Sequence, residues 1–248
     1  MNEKPQKTHN GFSYTASHRV FEIAAICTVC SLEVWTFSRF DLLLQGIGPA
    51  GLIGACLLGY LMADFVSGLV HWACDRYGSP HTPYLGPNFI ATFRDHHADP
   101  KGITRHDFIE TNGANCIACL PVLLPVAIFT PLESIGPISL FLFTALHALC
   151  LWVFATNQFH KWAHETRPHV LARTLQRLGI AIRPEHHRRH HHHPFDTHYC
   201  ITSGLLNRCL EAIGFWERME RFVKKMTGFP AGINTDAHRS IEASTGGG

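Results

Sequence analysis

The stretch PAGLIGACLLGYLMADFVSGLVH, residues 49–71, is apolar over about the 20 residues that a membrane-spanning helix needs. It is rich in glycine and alanine, which let transmembrane helices pack closely. Three more apolar stretches lie at residues 20–38, 114–131 and 135–156. A soluble protein could bury one such helix, but a soluble protein of 248 residues could hardly bury four. The sequence therefore predicts an all-α, polytopic membrane protein with about four transmembrane helices.

Lysine and arginine are distributed unevenly around these four stretches. In a four-span arrangement, all 21 of them except Arg39 fall on one side of the membrane. The positive-inside rule makes that side cytoplasmic and places both termini there. We expect a cytoplasmic segment at 1–19, a membrane-embedded domain at 20–235 and a disordered tail at 236–248. An integral multi-pass protein of the bacterial inner membrane or the endoplasmic reticulum is predicted.

Cysteine content and charge exclude several classes of protein. Most of the nine cysteines lie in apolar stretches, where cysteine acts as a small hydrophobe, so no disulfide framework is expected. A net charge of +2 gives no reason to expect a nucleic-acid partner. The basic residues on one face suit anionic lipid headgroups instead. Segments 170–178 and 205–226 mix apolar residues with arginine and lysine, which predicts interfacial helices that cover a cytoplasmic site.

Histidines cluster in four places, and the predicted topology puts all four on the cytoplasmic side. The densest cluster is PEHHRRHHHHPFDTHY, residues 184–199, and the others lie in GLVHWACDRYG, FRDHHADPKGITRHDFIETNG and NQFHKWAHE. Histidines four apart project from one helix face and can bind one metal ion together. One site takes three or four ligands, so ten candidates predict two metals held close together. The candidate catalytic and metal-binding residues are His71, Asp75, His96, His97, His160, His164, His186, His187, His190 and His191.

The other histidines have simpler interpretations. His192 and His193 continue past the HHxxHH pattern and are expected to be surface residues. The run at 184–199 also has an alternative reading, as a polybasic strip that touches lipid phosphates. His147 is expected to be a packing or hydrogen-bonded residue, and the role of His106 stays open. Solvated side chains without partners are expected at His9, His18, His81, His169 and His238.

The residue types limit the chemistry. Neutral imidazole binds iron, zinc, copper or nickel, and no thiolate box narrows that choice. Zinc would activate water for hydrolysis, whereas iron with open positions can activate dioxygen, which removal of hydrogen from an aliphatic chain requires. The chain has no GxSxG elbow and no HExxH zinc helix. Oxidation of a lipid chain is therefore favoured over its hydrolysis.

Several sequence motifs of this chain resemble those of the Kua family of lipid desaturases. HWACDRYGSP, FRDHHADPKGITRHDFIETNG, TNQFHKWAH, HHRRHH and THYCITSGLLN follow one another in the family's order over about residues 61–228. The resemblance implies a di-iron membrane enzyme with two iron ions per chain and dioxygen as co-substrate. It also implies a phospholipid substrate and an electron donor such as cytochrome b5 or ferredoxin. The family's motifs fall on His71, Asp75, His96, His97, His160, His164, His186, His187 and His190.

One branch of this family suggests a specific reaction. It introduces the vinyl ether double bond into 1-O-alkyl phospholipids, converting plasmanylethanolamine to plasmenylethanolamine in plasmalogen synthesis. The nearest alternatives are hydroxylation and desaturation of a phospholipid acyl chain of the phosphatidylglycerol type. From other classes, a metal transporter with a histidine-rich loop and a non-catalytic metal-dependent sensor remain open. A transporter needs polar residues at the membrane midplane, and the spans offer only scattered ones such as Asp64.

Overall fold

The computed structural model describes residues 14–83 and 86–232, which form nine α-helices and no strand. Four of these helices are long and apolar enough to cross a membrane, which confirms the predicted all-α, four-span fold. The first thirteen residues of the predicted N-terminal segment and the whole tail at 236–248 lie outside the described residues. The four long helices are α1 (Ala16–Ser38), α2 (Phe40–Arg76), α4 (Phe108–Phe129) and α5 (Pro137–His164).

Five shorter helices gather near the ends of α2 and α5 that carry His71 and His164. A π-helical turn at Gly86–Ile90 leads into the first of them, and a 3-10 turn at Gly102–Arg105 follows it. Since apolar contacts tie these helices to α2 and α5, they form a cap on one end of the bundle. The five are α3 (Ala91–Ala98), α6 (Val170–Arg177), α7 (Pro184–His190), α8 (Asn207–Ala212) and α9 (Phe215–Thr227).

Close packing of α2 against α5 forms the centre of the bundle, and α1 and α4 pack beside them. Gly59 of α2 lies so near α5 that a Cβ atom there would come within 2.6 Å of the Ala145 carbonyl oxygen. A small residue at this position lets the two backbones approach, as in many membrane helix pairs. The two long helices that carry candidate ligands are thereby held side by side, with His71 and Asp75 on α2 and His160 and His164 on α5.

The predicted spans at 20–38 and 49–71 leave residues 39–48 as a connection, but most of these residues are helical. The chain reverses at Arg39, and the residues before Gly48 are already helical. Gly48 has φ +67°, a conformation that glycine adopts without a steric penalty, and it kinks α2. Pro49 lacks an N–H donor and therefore suits the first position of the second part of α2. That part starts where the predicted span at 49–71 started.

Ion pairs join helix ends at both ends of the bundle. Arg39, in the α1–α2 turn, lies 3.8 Å from Glu133 in the α4–α5 turn. At the opposite end, Arg19 of α1 donates to Asp107 at 2.6 Å. Asp107 is also the N-cap of α4, because its Oδ1 accepts from the N–H groups of the second and third helical residues at 3.0 Å. The two turns therefore lie at the same end, as the four-span topology requires.

The predicted interfacial segments are helical, with one correction. The segment at 205–226 is divided by Gly214, which has φ +59°, into α8 and α9. Trp216 of α9 is buried, whereas Phe222 and Met226 on a neighbouring strip of the same helix are exposed. In α6, Val170 and Leu171 are exposed in the same way. Exposed apolar strips on basic helices suit a membrane interface, and this location stays a prediction.

Candidate metal centre

Nine of the ten candidate ligands converge at one place, where the cap meets the ends of α2 and α5. Four elements contribute to it. On α2, α5 and α7 the ligands lie three or four residues apart and share a helix face, whereas the two ligands of α3 are adjacent. The ligands form two groups, and within each group one ligand atom from every residue lies within 4.8 Å of those of the others. The contributions are His71 and Asp75 from α2, His96 and His97 from α3, His160 and His164 from α5, and His187, His190 and the helix-capping His191 from α7.

The first group, here called the five-histidine group, contains His96, His160, His164, His187 and His191. The Nε2 atoms of His160 and His187 are 2.8 Å apart, and those of His187 and His191 are 2.9 Å apart. His96 and His191 approach to 3.1 Å and His160 and His164 to 3.2 Å, again through Nε2. The ring nitrogens thus point at a common centre.

The second group, here called the aspartate group, contains His71, Asp75, His97 and His190. Asp75 is its hub, since its Oδ2 lies 3.0 Å from His97 Nε2 and 3.4 Å from the Nε2 atoms of both His71 and His190. The ring centres of His190 and His191 are 5.5 Å apart. The two groups therefore adjoin, as two neighbouring metal sites would.

Backbone carbonyls orient two rings of the aspartate group. His71 Nδ1 lies 3.2 Å from the carbonyl oxygen of Tyr199, and His190 Nδ1 lies 2.8 Å from that of Thr197. An Nδ1–H bonded to a carbonyl leaves Nε2 with a free lone pair and fixes the direction in which it points. Sequence reasoning missed this part of the site, because a backbone carbonyl carries no side-chain signature.

The chemistry of these residues fits divalent iron. Four close Nε2–Nε2 contacts occur in one group, and each needs one protonated nitrogen, whereas a cation between the rings accepts all the lone pairs. In the aspartate group, His71 Nε2 and Asp75 Oδ1 are buried and have no hydrogen-bond partner among the described residues. Buried polar atoms without partners are costly, and a metal ion in the aspartate group would satisfy them. Imidazole with one carboxylate is the ligand type of non-haem iron sites.

Electrostatics keep the cap histidines neutral. Burial, followed by the neighbouring imidazoles, holds the pKa of His96, His187 and His191 below the ordinary value of 6.5. Burial likewise lowers the pKa of His190. The neutral ring is the form that binds a metal, so these four residues are ready ligands at neutral pH.

Exposure distinguishes the two groups. All four members of the aspartate group are buried, whereas His164 and His191 of the five-histidine group are partly exposed. The ring centre of Phe93 lies 4.9 Å from that of His71, and the ring centre of Phe195 lies 4.8 Å from that of His97. Aromatic rings therefore cover the aspartate group. The site is therefore open on the side of the five-histidine group.

His186 is the candidate that the structure does not bring into either group. Its ring centre lies 5.2 Å from that of His198, and a Cβ atom at Gly204 would lie 3.3 Å from its ring, so His186 packs against the loop that follows α7. Successive helical residues differ in direction by about 100°, and the inward face of α7 is centred on His187, so His186 lies at its edge. The i, i+4 spacing with His190 was real, but spacing alone does not reveal which way a helix is rotated. His106 also lies outside both groups, 3.6 Å from Glu110.

Some histidines outside both ligand groups have partners, although they were expected to be solvated without any. His169 caps α6 by accepting from the Ala172 N–H, and His18 lies 3.3 Å from Glu22, so neither lacks a partner. His147 lies 3.0 Å from Thr36 Oγ1, which confirms its prediction as a hydrogen-bonded residue. His192 and His193 are exposed, as expected. His9 and His238 lie outside the described residues.

Comparisons with known proteins show the family of this chain. A family model described as a lipid desaturase domain matches residues 60–232, close to the range over which the sequence resembled the Kua family. No solved structure shows a significant match. The matched range includes every residue of both ligand groups.

Three relatives cover most of the chain. A plasmanylethanolamine desaturase of Myxococcus xanthus is 45% identical over 240 residues, which is 94% of this chain and 83% of that protein. Plasmanylethanolamine desaturase 1 of Mus musculus is 44% identical over 73% of this chain and 67% of that protein. The chloroplastic fatty acid desaturase 4 of Arabidopsis thaliana is 35% identical over 83% of this chain and 61% of that protein.

Proposed function

Because this chain belongs to the lipid desaturase family and is a multi-pass membrane oxidoreductase, we propose that it forms the vinyl ether bond of plasmalogens. The substrate would be a 1-O-alkyl phospholipid with an ethanolamine headgroup. The observation that carries this choice is the identity of 44–45% to two plasmanylethanolamine desaturases, against 35% to the chloroplastic relative.

Two iron ions per chain are proposed, one in the five-histidine group and one in the aspartate group. Iron bound there would supply the dioxygen chemistry that removal of hydrogen from an aliphatic carbon requires. In the balanced reaction, one CH₂–CH₂ unit, one O₂, two electrons and two protons give one CH=CH unit and two water molecules. The two adjoining ligand groups support this proposal, because five residues in one group and four in the other would each suffice to hold one ion.

The protein's own residues bind and orient in this scheme. The Thr197 and Tyr199 carbonyls hold His190 and His71 with Nε2 inward. Phe93 and Phe195 exclude water from the aspartate group, which protects an oxidising site from side reactions. The partly exposed side at His164 and His191 is the proposed approach for dioxygen and for the first carbons of the alkyl chain.

The metal end of the bundle is proposed to face the cytoplasm. Among residues 14–83 and 86–232, every lysine and arginine except Arg39 lies at that end or in the cap, in agreement with the positive-inside rule. On the cap, α9 exposes Arg218, Arg221, Lys224 and Lys225. Such a surface suits an acidic one-electron carrier, for which cytochrome b5 and ferredoxin are the proposed classes.

Lipid analysis tests the proposed substrate. The chain is expressed in a host that makes 1-O-alkyl phospholipids but lacks plasmalogens, and acid-labile vinyl ethers are measured by mass spectrometry. We expect vinyl ether lipids with the wild-type chain and none with His187→Ala at equal protein level. New double bonds in ester-linked acyl chains, without vinyl ethers, would support acyl-chain desaturation instead and contradict the proposal.

A further inference from the structure

We propose that Asp64 is a positioning residue for the aspartate group. Its carboxylate holds the loop at residues 197–206, and backbone carbonyls of that loop orient His71 and His190. This inference rests on the proposed two-metal function. It gives a role to the buried acidic residue in the middle of α2 that the sequence left unexplained.

Asp64 is fully buried and makes three hydrogen bonds to one loop. Its Oδ1 accepts from the N–H groups of Ser203 at 2.7 Å and Gly204 at 2.9 Å, and its Oδ2 accepts from Leu206 at 3.0 Å. Charge-assisted bonds to a buried carboxylate are stronger than bonds between neutral groups. These bonds therefore attach the C-terminal half of the loop to α2.

The N-terminal half of the same loop supplies both orienting carbonyls. Tyr199 provides the acceptor for His71 Nδ1, and Thr197 provides the acceptor for His190 Nδ1. Both histidines belong to the aspartate group. In the five-histidine group, the Nδ1 atoms of His187 and His191 have no partner among the described residues. A disturbed loop should therefore affect one metal site more than the other.

Further contacts make the loop a rigid link between these halves. Asn207 bonds both the N–H and the carbonyl of Cys200 at 2.9 Å, and the Ile201 N–H donates to Ser67 Oγ at 3.1 Å. Gly68 lies so close that a Cβ atom there would come within 2.6 Å of Cys200 Sγ. Since Asp64, Ser67 and His71 share α2, the anchor and the ligand move together.

The number of acceptors explains why a carboxylate is needed. Three N–H groups converge on two oxygens, and asparagine offers only one oxygen and a donor NH₂ group. In Asp64→Asn, that NH₂ group would face a backbone N–H, and at least one bond would be lost. A buried donor without an acceptor is costly, so the loop would shift away. Glutamate keeps both acceptor oxygens at the cost of one methylene.

Metal titration tests the selectivity of this effect. Cobalt(II) is added to metal-free Asp64→Asn, Asp64→Glu and wild-type protein, and binding is followed by visible absorbance. The matched control is Glu33→Gln, which removes an acidic side chain of α1 that pairs with His147 instead of the loop. We expect two binding steps in wild type and control. In Asp64→Asn, one step should weaken about 10- to 100-fold while the other is unchanged, and Asp64→Glu should recover part of the loss.

Two outcomes would overturn the positioning role: equal weakening of both steps, or no weakening of either. Hydrogen exchange by mass spectrometry gives an independent measurement, because amides at 197–206 should exchange faster in Asp64→Asn than in wild type. If wild type binds fewer than two metal ions, the two-metal function fails. Even then, unchanged exchange at 197–206 in Asp64→Asn would refute the role of Asp64 on its own.

Discussion

His160 Nε2 lies 2.8 Å from His187 Nε2, although α5 carries one residue and α7 the other. His160 Nε2 also lies 3.2 Å from His164 Nε2, and His187 Nε2 lies 2.9 Å from His191 Nε2. A neutral ring nitrogen has either one proton or one lone pair, so it cannot make two such hydrogen bonds at once, whereas a cation bound by all the lone pairs would satisfy them. The contact between His160 and His187 also fastens a seven-residue helix to a transmembrane helix. Metal binding and the order of the cap are therefore expected to depend on each other.

Removing one inward ring should cost metal and activity together. His187→Ala should lower iron from two ions per chain to one or fewer and reduce vinyl ether formation more than about 100-fold, since it deletes a direct ligand. Iron is measured by elemental analysis and activity by lipid mass spectrometry. His192→Gln, at an exposed position of the same run, is the matched control and should keep both. Equal, partial losses in the two variants would favour the polybasic-strip interpretation.

Replacing His186 tests whether it is a metal ligand, as the sequence pattern predicts, or lies outside the site, as the rotation of α7 indicates. His186→Gln should retain two iron ions, because its ring lies beside His198 and outside both groups. His190→Gln, four residues later on the inward face, should lose the ion of the aspartate group. Iron content of the two purified variants distinguishes these outcomes. Loss of one ion in His186→Gln would mean that the HHxxH pattern, with all three histidines, is the true ligand set.

Removing the metals should loosen the cap and leave the bundle intact. Helices α3 and α7 have eight and seven residues, fewer than the roughly 12–15 that an isolated helix needs to be stable. After chelation, amides at 91–98 and 184–190 should exchange about tenfold faster or more, whereas those of α1 and α4 should not change. Hydrogen exchange by mass spectrometry measures both. Uniform acceleration along the chain would show that the metals stabilise the whole fold.

Asp107 should make stability depend on pH through the cap of α4. Its hydrogen bond to Arg19, followed by the backbone N–H of Glu110, holds the pKa of Asp107 below its ordinary value of 3.8. The stabilisation is therefore present above about pH 4 and lost as pH falls through the lowered pKa. Asp107→Ala should destabilise the protein by about 1 kcal/mol at pH 7. The difference in unfolding midpoint between variant and wild type should shrink below about pH 4; a difference independent of pH would contradict this.

The membrane orientation is testable with single cysteines in a cysteine-free background. Ser134→Cys, in the exposed α4–α5 turn, should react with an impermeant thiol reagent from outside the cell. Lys101→Cys, exposed beside α3, should react only after permeabilisation. Labelling is followed by a gel shift. The reverse pattern would mean that the metal end faces away from the cytoplasm.

The sequence by itself determined the long helices and the ligand types. Apolar stretches of spanning length survive in any arrangement, because backbone groups in a bilayer must bond within the helix. The predicted span at 49–71 lies within α2, which begins earlier, at Phe40, and has its kink at Gly48. Pairs such as His160 and His164 were recognisable because helical spacing is a local property of the chain.

Only the tertiary structure decided how the ligands divide between two groups. His71 joined His97 and His190, whereas His96, one residue from His97, joined the histidines of α5 and α7. Adjacent residues on α3 point in different directions, and which neighbour each meets depends on how separate helices pack. Helix rotation excluded His186 for the same reason, and the carbonyls of Thr197 and Tyr199 gained their role only when the loop folded against Asp64. Spacing along the chain determines which ligands share a face of one helix. The packing of separate helices determines which of these ligands come together in one group.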